Sequence, residues 1–198
     1  MPSVRRNSRR AFTLIEAMVS TAITVTAGSA VLLGIATSVA TTNDILARAQ
    51  AGGIAQQVMD EIAGQLYCED PSVAYEWPLG PTSYEAAGVA RERYNDIDDY
   101  VSFSSQPLKD RFGVLLGTED GRGGTRDPNF RLDAGYFTKS ELVISVFYVS
   151  PTDQTQALPA GQTSQYRAAE VTINFNDPAQ GTRPLAKLRR VFSHVPTQ

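Results

Sequence analysis

Cysteine is almost absent from this chain of 198 residues. Cys68 is the only one, so an internal disulfide is excluded and cysteine usage leaves the redox compartment undecided. An exported protein built this way has to hold together by its core and its sheet pairing. Histidine is equally scarce. Any histidine-based triad would have to use His194, which sits near the C-terminus with no motif around it. No proline lies between Pro2 and Pro71, so the strongest helix breaker is missing from the N-terminal third. Acidic residues are missing from residues 1–11, which hold Arg5, Arg6, Arg9 and Arg10. Between Phe12 and Ala40 the only ionisable side chain is Glu16.

The formal net charge is −3. With the four leading arginines set aside, 14 of the 18 basic residues remain against 21 acidic ones. Nucleic acid is therefore not an expected partner of the chain as a whole. The basic start followed by an apolar run has two readings, a secretory signal or a membrane anchor with its N-terminus inside. The apolar part of a signal peptide is roughly 7 to 15 residues, and this run is longer. A bilayer needs about 20 residues of helix, which the run supplies. Its Gly28, Ser29, Ala30 and Gly34 are the small residues that close helix–helix packing in a membrane uses.

The helical pattern continues beyond the apolar run. Ile54, Val58, Ile62 and Leu66 recur every four residues, with Gln57, Asp60, Glu61 and Gln65 between them. The spacing predicts one helix over 12–67, apolar to about residue 40 and amphipathic over 41–67. Gly52-Gly53 is its expected bend or weak point.

The stretch "RRAFTLIEAMVSTAITV" resembles the class III signal of type IV pilins and type II secretion pseudopilins. That family has a short basic leader, a small residue at the cut, then Phe-Thr-Leu-Ile-Glu and a long apolar helix. The match covers about residues 5–40. The resemblance implies a leader over 1–11 and cleavage by a prepilin peptidase between Ala11 and Phe12. Phe12 would become a methylated N-terminus. Glu16 would then be an assembly residue that neutralises the terminal amine of a neighbouring subunit, because an unpaired charge in a low-dielectric place is costly. Ala11 stands where the family usually has Gly. The proline that many major pilins carry about twenty residues into the helix is missing, which favours a minor subunit. Implied partners are other pilins or pseudopilins in a helical filament and an inner-membrane assembly platform. The implied location is a single pass of the bacterial inner membrane, N-terminus cytoplasmic and head exported, followed by a periplasmic or surface filament.

Residues 68–198 read as an α+β head. The segment 68–88, rich in Pro, Gly, Tyr and Ser, is an irregular loop with a short strand near 74–77. Residues 90–96 fit a turn of helix, and "DYVSFS" (99–104) alternates as a strand would. "ELVISVFYV" (141–149) is a strand covered on both faces. "AEVTINF" (169–175) puts Val171, Ile173 and Phe175 inward. "LAKLRRVFSHV" (185–195) is a third strand, joined to the second by the turn chemistry of "NDPAQGTRP". An antiparallel sheet laid on the second half of the helix satisfies both periodicities. It is also the stalk-and-head lollipop that the pilin resemblance implies.

Few residues suggest chemistry. Asp96, Asp98 and Asp99 are candidate calcium ligands, with Glu119 or Asp120 as distant ones, since hard cations take clustered oxygens. The alternative is a solvated turn capped by aspartates. No other cofactor is expected. "GTEDGRGG" lacks the Gly-Lys-Ser/Thr ending of a phosphate loop and reads as a plain loop. Trp77 reads as a loop anchor or a contact residue. Lys187, Arg189 and Arg190 make a basic spot on the last strand. No catalytic constellation appears, so a structural subunit is expected rather than an enzyme. The alternatives are a pilus subunit for DNA uptake or adhesion and a membrane-anchored binding protein that does not polymerise.

Overall fold

The computed structural model describes residues 13–70, 72, 74–132, 135–179 and 181–195. The chain divides into two compact units between Leu46 and Ala47. One helix, α1 (Leu14–Ala63), begins in the first and ends in the second.

In the first unit α1 buries nothing. Leu14, Ile15, Met18, Ile23, Val31, Leu33 and Ile35 are all exposed, and they lie on every side of the helix. Most of the hydroxyls between them need no outside partner. The hydroxyls of Thr21, Thr24, Thr26, Ser29, Thr37, Thr41 and Thr42 each donate to the carbonyl four residues back. Hydroxyls spent in this way are compatible with lipid, where every polar group must be met internally. The helix is long and apolar enough to cross a membrane.

In the second unit α1 becomes one-sided. Ala51, Ala55, Val58, Met59 and Ile62 are buried, the spacing of a single helical face. Ile54 is half-buried, and the helix runs unbroken through Gly52-Gly53. It ends at Ala63 rather than Tyr67. The amide of Gly64 still reaches back to the carbonyls of Asp60 and Glu61, but Leu66 turns away to bridge residues 95–97. Its amide donates to Asn95 O, its carbonyl accepts from Ile97 N, and its side chain is left exposed.

That face of α1 shares one core with a four-stranded antiparallel sheet in sequential order. The strands are β1 (Ser104–Ser105), β2 (Ser140–Tyr148), β3 (Tyr166–Asp177) and β4 (Gly181–Ser193). Burial alternates along β2. Ser140, Leu142, Ile144, Val146 and Tyr148 face the core, and the residues between them are half-buried. On β3 the same face carries Arg167, Ala169, Val171 and Ile173, with Phe175 half-buried at its end. β4 is an edge strand, and Pro184 falls beside the register shift at Ile173/Asn174, where a missing N–H is tolerated. The architecture is therefore α+β, a long apolar N-terminal helix followed by an antiparallel sheet.

Two expected strands differ. Residues 74–77 form turns rather than a strand. Within 99–104 only Ser104 belongs to a strand, and Asp98–Tyr100 is a single 3-10 turn. Side-chain oxygens explain it. Asp96 Oδ1 accepts from the amides of Asp98 and Asp99, and Asp99 Oδ2 accepts from those of Asn95 and Asp96. Local acceptors of this kind compete with a sheet ladder for the backbone donors. Ser102, at φ 54°, then redirects the chain.

Candidate functional site

Ala11 and Phe12, the two positions expected at a processing site, lie outside the described residues. Glu16 is described, and its side chain is engaged. Its Oε2 accepts from the Thr13 amide and the Thr13 hydroxyl, both at 2.9 Å, while the Glu16 amide points at Thr13 Oγ1 at 3.4 Å. This is a capping box, in which Thr13 and the third helical residue satisfy each other's open donors. The sequence signal was present as Thr-x-x-Glu ahead of an apolar run. Thr82 and Glu85 repeat the device on α2 (Ser83–Ala86).

The three aspartates expected as metal ligands come together, in a setting the sequence did not reveal. Asp96, Asp98 and Asp99 are buried and line a cavity of about 150 Å3 with Glu69, Asp70, Glu76 and Glu85. Seven carboxylates around one small cavity repel one another, and burial compounds the cost. Burial, followed by the charges of Asp98 and Asp99, pushes the Asp96 carboxyl up to about 8. Burial pushes Asp99 up to about 6. Glu76 is raised by burial and then by Asp98.

One strong cation answers them. Arg167 on β3 is fully buried, and its Nη1 lies 2.8 Å from Asp98 Oδ1 and 2.6 Å from the Tyr67 carbonyl. Its Nη2 reaches the Tyr148 hydroxyl and the Ala74 carbonyl. The Tyr67 ring lies under the guanidinium at 4.5 Å. Burial works against the Arg167 charge, but Tyr148 and Asp98 outweigh it and the pKa is raised. The signal for Arg167 was its parity, since it shares the face of Val171 and Ile173.

Carboxylate oxygens suit calcium chemically, but Asp96 is engaged by the turn and Asp98 by Arg167. Asp96 Oδ2 also takes the Glu69 amide at 2.9 Å, so both of its oxygens hold backbone. Among the described residues no group of three or more acidic, histidine or cysteine side chains is arranged to hold a metal ion. Glu119 and Asp120 do not line the cavity. Glu119 Oε2 accepts from the Leu115 amide, and Asp120 Oδ1 accepts from the amides of Arg122 and Gly124.

A second buried arginine was also missed. Arg91 makes a two-pronged pair with Glu61 of α1, both bonds at 3.0 Å, and the Tyr100 hydroxyl donates to the same carboxylate. The remaining residues singled out by sequence take ordinary places. Cys68 is buried, and burial pushes its thiol up, away from reactivity. His194 packs against the rings of Tyr67 and Tyr75. Trp77 is half-exposed rather than a buried anchor. Lys187 and Arg189 both face Glu170, at 2.8 and 3.6 Å, so the basic spot is partly neutralised within the sheet.

No family model, no curated protein and no solved structure matches the chain.

Proposed function

We propose that the protein is a minor pilin or pseudopilin, a structural subunit of a type IV pilus or a type II secretion pseudopilus. The observation that carries the reading is the first half of α1. From Leu14 to Leu46 it exposes apolar side chains all round, and it starts at Thr13-Leu14-Ile15-Glu16 behind a basic stretch. A helix like this must be covered, by lipid, by other helices, or by each in turn. Gly28 and Gly34 add support. A Cβ at either would meet nothing within 4 Å, so their smallness serves no contact among the described residues. Close approach of a second helix is the role that remains for it.

On this reading the protein enters the inner membrane with its N-terminus in the cytoplasm and its head exported. A prepilin peptidase cuts between Ala11 and Phe12, and Phe12 is methylated. The assembly platform then draws the subunit into a helical filament of pilins or pseudopilins, stabilised by packing of the apolar helices. Glu16 neutralises the amine of a neighbour's Phe12 and so favours one axial register. The filament's business, whether export, DNA uptake or adhesion, is separated by a deletion phenotype.

The test is the N-terminal sequence and intact mass of the protein from native membranes. Methylated Phe12 at the N-terminus is the expected result. A chain that keeps its arginines in cells with an active prepilin peptidase would overturn the reading, and a membrane-anchored protein that never polymerises would replace it.

A further inference from the structure

A cleft of about 180 Å3 opens in the second unit between the start of its helical part, the sheet and the segment leading into β2. Ala51, Ile54, Leu108, Phe137, Ile173 and Phe175 form most of its wall, and among the described residues no charged side chain lines it. The room comes from Ala47 and Ala51, small residues at positions where α1 faces the sheet. Three polar side chains interrupt the apolar lining. Two are committed to each other at the solvent edge, where the exposed Tyr136 hydroxyl donates to Gln50 Oε1 at 2.7 Å. The third is Ser140, 5% exposed, on the core-facing side of β2. Its hydroxyl makes no hydrogen bond to any described residue. Its oxygen is not one of the fully buried unpartnered atoms among the described residues, so it opens onto the cleft and is free to meet a ligand there.

We propose that this cleft binds a small neutral amphiphile, a single ring or short branched alkyl body carrying one hydroxyl or carbonyl that meets Ser140 Oγ. An apolar cavity of about 150 Å3 takes up benzene, so the volume suits one ring and a substituent. The apolar wall sets the body of the ligand, and Ser140 sets its orientation, the division of labour usual in small-molecule sites. A charged ligand is disfavoured, because no described residue of the wall carries a charge to compensate its desolvation. The inference does not depend on the assembly reading.

The experiment uses the full chain in lipid nanodiscs, with methyl NMR reporting on Ile54 and Ile173. Phenol is the probe, with benzene as the apolar control and benzoate as the charged one. Phenol is expected to give saturable shifts at both methyls, and benzoate none. Ala51→Leu fills the cleft and should abolish the shifts. Ser140→Ala is nearly isosteric and should weaken phenol about threefold or more, the worth of one hydrogen bond, while leaving benzene unchanged. Should Ala51→Leu fail to fold, the Ser140→Ala comparison decides alone. Absence of saturable shifts in the wild type, or equal loss of phenol and benzene in Ser140→Ala, would overturn the proposal. Shifts that persist in a folded Ala51→Leu protein would do the same, since phenol would then be partitioning elsewhere.

Discussion

Arg167 on β3 and Asp98 in the turn before β1 meet at 2.8 Å with both side chains closed to solvent. The pair joins residues 69 apart in the chain, and the same guanidinium also holds the carbonyls of Tyr67 and Ala74. It thus ties two irregular segments to the sheet. Arg167→Met removes the cation that pairs with Asp98 of the cavity lined by seven carboxylates. Breaking a buried pair from one side costs about 3–5 kcal/mol. Urea unfolding followed by circular dichroism should show a loss of that size, with Arg167→Lys recovering only part. A change under about 1 kcal/mol would mean that the clasp is incidental.

Glu61 serves two partners at once, and they should differ in weight. Arg91 is 1% exposed, so Glu61→Ala leaves a buried guanidinium without its carboxylate. That should cost about 3 kcal/mol, against about 1 kcal/mol for Tyr100→Phe, which deletes one hydrogen bond. Denaturation midpoints of the two variants measure the contrast. Equal losses would shift the weight of the site from the ion pair to the phenol.

The acidic cavity predicts a stability that falls with rising pH. Asp96 is raised from 3.8 to about 8 and Asp99 to about 6, each chiefly by burial. Between those values and 3.8 the folded state holds protons that the unfolded chain has released. Their contribution is complete below 3.8 and is lost as pH climbs through about 6 and then about 8. The melting temperature should therefore decline from pH 5 to pH 8.5, and Asp96→Asn should flatten the decline. A flat or rising profile for the wild type contradicts this. Stabilisation by millimolar calcium at pH 8, lost in Asp96→Asn, would assign the cavity to a cation instead of protons.

Glu16 has two roles to separate, the cap on α1 and the proposed partner of a neighbour's amine. Glutamine serves as the third residue of a capping box but carries no charge. Glu16→Gln should keep the helix start, read as unchanged helical content, yet leave the filament fraction about tenfold depleted or worse, as Glu16→Ala should also do, because an uncompensated charge costs several kcal/mol. Wild-type assembly by Glu16→Gln would make the cap the whole function of the residue.

Sequence alone determined the elements whose signals are local. The apolar run, its length, its single ionisable residue and its freedom from proline specify α1 before any contact is made, since backbone hydrogen bonding within a helix is self-contained. Strict alternation placed Val171 and Ile173 on the core face of β3, because strand side chains repeat every two residues. Tertiary structure decided what depends on distant partners. The end of α1 fell at Ala63 because residues 95–97 captured the Leu66 backbone. The start of "DYVSFS" went into the Asp98–Tyr100 turn rather than a strand because the Asp96 carboxylate closed on the amides of Asp98 and Asp99. Gathering the seven acids of the cavity from 69–99, and answering Asp98 with an arginine on β3, required the fold to bring segments together. Local periodicity records which face of an element is apolar. It carries no record of which buried charge will meet which, because that pairing is a property of distances that only folding creates.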